Sequence, residues 1–364
     1  MRPLESLDML QRMCHIAALS GHEEGMIAFM KGAMQRYLPD CYVDRLGNVI
    51  GCLPGTDPQG PKVMVFAHMD EVGFLVRRIE ADGFLRLTRV GGVPEKSLLA
   101  QRVTVHGRGG DLFGVIGPKA HHLTPPDEKL RVVEIEHLFV DIGARGKAEA
   151  EAWGVYAGAP VTYQGFFQEM PGGQIAGKAL DNRVGCFVLL QVLRLLIQKQ
   201  IRATVYLVGS VQEEFNIRGV VPAAFAINPD LAIGVDVSIA SDTPDLRGHS
   251  DIALGSGPVI GHYSFHGRGT LCGLIPNPKL RQYLEDTAGR LGIPIQHSVF
   301  MGGLTDASYL AVVREGIPAV DLGFPMRYSH SPTEVASAGD IEELILLLAA
   351  ALEGVSADLD LSRG

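Results

Sequence analysis

Positive charge is in deficit: 32 Lys and Arg stand against 41 Asp and Glu, leaving a net charge of −9. Nucleic acids and anionic membrane surfaces are held through Lys and Arg that neutralise phosphates, so neither is an expected partner. Long apolar runs are missing as well. The most apolar windows are Cys186–Ile197, interrupted by Gln191 and Arg194, and the short Leu344–Leu352. A spanning helix takes about 20 apolar residues, so no membrane segment is expected. Met1 to Asp8 carries acidic residues where a secretory leader needs an apolar stretch. Cysteine is sparse: five residues (Cys14, Cys41, Cys52, Cys186 and Cys272), scattered, with no C-x-x-C pair. That spacing argues against a disulfide framework or a cysteine–zinc site and fits reduced thiols in a cytoplasmic protein. No internal repeat is present.

What remains is ordinary for a globular enzyme: 46% hydrophobic and 20% charged residues in 364. The length suits roughly two domains. Helical periodicity covers Leu4–Leu19 and His22–Tyr37, with Ser20 as expected N-cap and Glu23 completing a capping box. Lys62–Ala67 reads as a buried strand. From Val72 to Gln168 short alternating segments separated by turns read as an all-β module. Beyond it, helix Asn182–Gln198 is apolar nearly all round. Strands Ala203–Gly209, Leu231–Val237 and Ala319–Phe324 are interspersed with helices Pro278–Leu291, Asp306–Glu315 and Asp340–Leu352. The expected fold is α/β, with a mostly parallel sheet covered by helices on both faces. Residues 1–71 and 169–364 are expected to form the catalytic domain, with residues 72–168 inserted as a small all-β domain.

The chemistry-bearing residues follow the strands. His68-Met69-Asp70 comes after Lys62–Ala67, Glu213-Glu214 after Ala203–Gly209, Asp236 ends Leu231–Val235, and Arg327-Tyr328-Ser329-His330 follows Ala319–Phe324. Asp181 opens the buried helix, where a carboxylate is also a natural N-cap. In open α/β sheets ligands bind outside the carboxyl ends of strands, so these positions can converge. Each alone has a plainer reading as a loop pair, a cap, a solvated face or a turn. Together, two histidines and several carboxylates make the donor set of a divalent metal site. Either the carboxylates stay apart, or a cation holds them, because burying them together without one is costly.

Several segments resemble the glutamyl and deblocking aminopeptidases, the tetrahedral aminopeptidases of the dinuclear zinc exopeptidase clan. They are Leu19-Ser-Gly-His-Glu23, Ala67-His-Met-Asp-Glu-Val-Gly-Phe74, Gly177-Lys-Ala-Leu-Asp-Asn-Arg183, Gln212-Glu-Glu214, Gly234-Val-Asp236, Gly303-Leu-Thr-Asp-Ala307 and Arg327-Tyr-Ser-His-Ser-Pro332. The resemblance implies that His68, Asp181, Glu214, Asp236 and His330 bind two divalent ions, zinc or cobalt with manganese as a further option. Asp181 would bridge, His68 and Asp236 would serve one ion, and Glu214 and His330 the other. It implies that Glu213 is the general base and that Asp70 orients His68, with short peptides as substrates. It also implies that the inserted module is a PDZ-like dimerisation domain, and that dimers build a hollow homo-oligomer, a dodecamer.

Gly302-Gly303-Leu304, the basic stretch His262–Thr270 and Ser308-Tyr309 depart from the family pattern. They border the expected substrate region. Arg247, His249, His266 and Arg268 either favour an acidic N-terminal residue or face solvent or a neighbouring subunit. Rival functions are an N-acyl amino acid or peptide deacylase of the same clan, a metal-free glycosidase using Asp70 and Glu213, and an inactive scaffold.

Overall fold

The computed structural model describes residues 6–267 and 272–363. Part of the expected first helix (Leu4 and Glu5), together with Arg268 and Thr270, lies outside them. Among the described residues, thirteen strands join in one sheet, and six others close into a separate barrel.

The centre of the sheet runs Val49–Leu53, Thr204–Ser210, Lys62–His68, Leu231–Gly234, Ala319–Arg327. The last four of these are mutually parallel. Strand Lys62–His68 shows why its sequence is apolar throughout. Val63, Val65 and Ala67 enter one core, while Met64 and Phe66 enter the core on the opposite face. Helices Leu180–Leu196 and Ala338–Gly354 cover the first face, and Val220–Ile227 with the 3-10 turn Asp306–Val312 covers the second.

The expected mostly parallel sheet is instead mixed. Parallel neighbours need long crossovers, but the flanks are joined by short turns. Phe167–Met170 folds back on Gln174–Gly177, and Ala319–Arg327 turns directly into Glu334–Ser337, so these pairs are antiparallel. The expected strand Leu231–Val237 breaks at Val235–Asp236 and resumes as Val237–Ile239.

The first two helices are shorter than their periodicity, Asp8–Cys14 and Glu24–Met34. Ser20 caps neither; its hydroxyl donates to Asp70. Glu23 holds the N-cap position without a side-chain cap bond. Helix Pro278–Leu291 forms as expected because its ends are specified. Asn277 Oδ1 accepts from the Lys279 and Leu280 amides, Pro278 opens the first turn, and Gly292 at φ +68° closes the last.

The barrel is antiparallel, in the order Gly73–Ile79, Leu85–Val90, Phe139–Asp141, Gly110–Ile116, Arg102–Gly107, Pro160–Tyr163. It carries its own apolar core, including Phe74, Leu87, Val103, Val140 and Val161. One short helix, Lys147–Ala152, is attached to it.

Candidate active site

The parallel centre of the sheet places every expected site residue at one edge. His68 is the last residue of its strand. Glu213 and Glu214 follow Thr204–Ser210, with Gln212 at φ +58° turning the chain between them and the strand. Asp236 sits in the strand break. His330, at φ +64°, lies in the turn before Glu334–Ser337. Asp181 stands at the start of Leu180–Leu196 in non-helical backbone, followed by a cis peptide to Asn182. It is not the expected N-cap: Asn182 Oδ1 accepts the Gly185 amide at 2.9 Å, which leaves the Asp181 carboxylate free to face the histidines.

The five candidate ligands converge. His68 Nε2 is 3.1 Å from Asp181 Oδ1 and 3.9 Å from Asp236 Oδ1. His330 Nε2 is 3.5 Å from Asp181 Oδ2 and 3.3 Å from Glu214 Oε1. Asp181 therefore offers one oxygen to each histidine, which separates His68 with Asp236 from His330 with Glu214. Donor atoms of His68, Asp181 and Glu214 all lie within 4.8 Å of one another. Asp70 does two jobs. Its backbone carbonyl, 3.2 Å from His68 Nδ1, is nearer the ring than its carboxylate at 3.6 Å. The carboxylate oxygens instead accept the amides of Glu213 and Glu214, at 3.0 Å each, and fix the turn that carries both.

The charges are strongly coupled. Burial opposes charge on His68, yet bonds to Asp181 and Asp70 hold its imidazolium well above the ordinary range. His330 is opposed by burial too, but Glu214 and Asp181 push it up to about 10. Burial raises Glu213 far above a normal carboxyl, and neighbouring Glu214 and Asp236 add to it. Burial likewise lifts Glu214 to about 7 despite His330. For Asp181 the imidazoles of His330 and His68 overcome burial, and its carboxyl is lowered. More carboxylates meet here than the two imidazoles can neutralise. Oxygen and imidazole donors of this kind suit hard-to-borderline divalent ions, so the donor set fits a divalent metal centre.

Buried groups that the sequence reading passed over hold this edge together. Glu334 is 2% exposed. One of its oxygens accepts the Asp181 amide at 3.0 Å and the other the His330 amide at 2.7 Å. Behind the site Glu71 pairs with Lys178 at 2.7 Å and Arg183 at 3.3 Å. Arg183 also donates to the carbonyls of Met13, Ile16 and Met69, clasping the N-terminal segment to the site. Both cations lie in the Gly177–Arg183 segment, and the buried run after it was the available signal. His262, Glu285 and His297 form a second, more exposed grouping, in which Arg281 already pairs with Glu285.

The edge opens into a cleft of about 570 Å³. Of the cationic residues considered for specificity, His266 lines it, while Arg247 and His249 are exposed elsewhere. Sheet, cleft and carboxylate–imidazole cluster together define an α/β protein with a ligand set of the metallohydrolase type.

Comparison with known proteins narrows that class. Residues 47–347 match the family described as M42 glutamyl aminopeptidase, and the chain belongs to that family. It is accordingly a hydrolase of peptide bonds, an aminopeptidase. SgcX of Escherichia coli (strain K12) is 43% identical over 93% of this chain and 91% of its own. The lysyl aminopeptidase of Pyrococcus furiosus is 33% identical over 95% and 96%. Among solved structures, aminopeptidase APDkam598 of the archaeon Desulfurococcus kamchatkensis superposes with a TM-score of 0.90. It is 37% identical and covers 96% of this chain and 95% of its own. The TET1 peptidase of Pyrococcus horikoshii, described as able to assemble into a tetrahedron or a large octahedral shell, gives 0.84 at 28% identity, covering 96% and 99%.

Proposed function

We propose that this aminopeptidase works with two divalent metal ions, zinc, cobalt or manganese, and removes N-terminal residues from short peptides. The observation that carries this reading is Asp181 facing His68 through one oxygen and His330 through the other, with Asp236 and Glu214 completing the two sides. His68, Asp181 and Asp236 would hold one ion, and Glu214, Asp181 and His330 the other. When bound, such ions supply Lewis acidity, polarising the scissile carbonyl and making water a competent nucleophile near neutral pH.

The chain's own residues do the rest. Glu213, lining the cleft and raised by burial, accepts a proton from the attacking water and returns it to the leaving amine. Asp70 fixes the Glu213–Glu214 turn and supports His68. Glu334 fixes the backbone under Asp181 and His330.

Assembly belongs to the same proposal. The barrel would serve as a PDZ-like dimerisation unit, with residues 72–168 as an inserted domain and dimers building a dodecamer in the cytoplasm. Phe113, Leu123, Leu130 and Val132 of that region are exposed apolar side chains, which supports an interface there. Light scattering would show a large homo-oligomer; a stable, fully active monomer would remove the assembly reading. Among the described residues no helix is long and apolar enough to cross a membrane.

The decisive test of the reaction is a metal-reconstituted assay on free and N-acetylated di- and tripeptides, read by amino-acid analysis. Release of the first residue from free peptides only is expected. Turnover of the acetylated set alone would make the protein a deacylase.

A further inference from the structure

Asp321, on strand Ala319–Arg327, lines the same cleft as the candidate ligands. Glycines on both sides make room for it. Gly234 stands in register with it on the neighbouring strand, and a Cβ there would lie 2.6 Å from Asp321 Oδ1. A Cβ on Gly261 would lie 3.3 Å from the Asp321 Cβ. The carboxylate thus occupies a slot in the sheet that side chains at these positions would fill.

Its hydrogen bonds are half complete. Oδ2 accepts from Thr305 Oγ1 at 2.8 Å, whereas Oδ1 is buried without a partner among the described residues. A second carboxylate, Asp306, is 2% exposed and shows the same imbalance. One of its oxygens accepts from Ser210, and Oδ1 has no partner. Burial, with Asp306 adding to it, pushes the Asp321 carboxyl up to about 7. A buried polar atom left unpaired is costly, so the open Asp321 oxygen favours a ligand that brings a charge-assisted donor. Leu274, Phe300 and Leu304 line the same cleft and suit a methylene stem. An apolar stem ending in a cation is the shape of a lysine or arginine side chain.

We propose that Asp321, held by Thr305, forms a cation-binding subsite that receives the side chain of a basic N-terminal residue. This rests on the aminopeptidase reading of the adjoining centre and gives it a substrate class. It also runs against the acidic preference suggested by His266, because an acidic side chain entering the slot would meet the Asp321 carboxyl.

The test compares lysyl and norleucyl p-nitroanilides, which share a four-carbon stem and differ at its end in the ammonium group. Metal-reconstituted wild type is expected to show a kcat/KM ratio favouring lysyl by about tenfold or more. Asp321→Asn should bring the ratio close to one by lowering the lysyl value alone, and its retained norleucyl turnover reports that the variant is folded. If the variant does not fold, wild-type inhibition decides: 1,5-diaminopentane should bind about tenfold more tightly than 1-aminopentane. Norleucyl cleaved as well as lysyl, an unchanged ratio in a folded variant, or equal inhibition by the two amines would overturn the subsite alone. Cleavage of neither anilide would overturn the aminopeptidase reading and the subsite with it.

Discussion

Glu213 and Glu334 are both carboxyls raised by burial, but they face different atoms, so their amides should fail differently. Glu213→Gln keeps its shape and leaves the five candidate ligands in place. It cannot carry a proton, so kcat should fall by about 10²–10⁴ while both metals stay bound. Loss of a metal in that variant would mean that Glu213 and Glu214 have exchanged roles. Glu334→Gln sets an amide NH2 against the backbone N–H of Asp181 or His330. Its expected defect is metal affinity, weakened by about 10–100-fold, with kcat close to wild type at saturating metal. Titration of metal-free protein with zinc, alongside turnover, separates the two outcomes. The convergence of the candidate residues was legible because His68, Glu213, Glu214, Asp236 and His330 stand at the ends of apolar strands that finish at one edge, while Asp181 opens the helix packed beside them. Glu334 was not, since a carboxylate that serves only backbone amides carries no spacing signature. Ser20 was misread for a related reason: the three-residue spacing to Glu23 fits a cap, but the hydroxyl's actual partner, Asp70, is remote in sequence.

Strands were the most legible elements, because burial on two faces writes a continuous apolar run, as in Lys62–His68. Pairing direction at the flanks was not, since it depends on turn lengths rather than on strand composition. Helix limits erred where the periodicity outlasts the helix: Leu19 pairs with Glu71 as an isolated bridge instead of continuing a turn. The contact that aligns the site is between helix Leu180–Leu196 and strand Lys62–His68, and it depends on Gly185. A Cβ there would lie 2.8 Å from the Ala67 Cβ and would strike Asn182 Oδ1, which holds the Gly185 amide. Gly185→Ala should therefore push the helix off the strand, costing about 1–3 kcal/mol in urea unfolding. Because Asp181 and His68 lie at the ends of those two elements, kcat should fall with it. A variant as stable and active as wild type would show that the two elements can separate without disturbing the centre.

At the scale of the whole molecule the division into an α/β unit and a barrel was readable from the change in strand texture near Val72, but the linkage between charge and folding needed the structure. In metal-free protein the two kinds of perturbed group act in the same direction. Glu214 titrates near 7 when folded, against an ordinary 4.5, so between those values the unfolded chain gives up its proton first and rising pH favours unfolding. His330 titrates near 10 when folded, against an ordinary 6.5. Its paired, charged form stabilises the fold fully below 6.5, and that contribution is lost as pH climbs toward 10. Asp181 has the opposite sign, but its lowered carboxyl acts only below the ordinary carboxylate range, outside this window. The melting temperature of chelated protein should therefore fall steadily from pH 5 to pH 9. Divalent ions neutralise the same carboxylates and take the imidazoles in their neutral form, and binding to the folded state alone adds stability by mass action. Reconstituted protein should melt higher, and the gap from the chelated protein should widen as pH rises, because metal then competes with fewer protons. Differential scanning fluorimetry across that range, with and without chelator, measures both slopes. A chelated protein whose stability rises between pH 5 and 9, or a gap that narrows, would mean that these groups do not converge on a shared cation site.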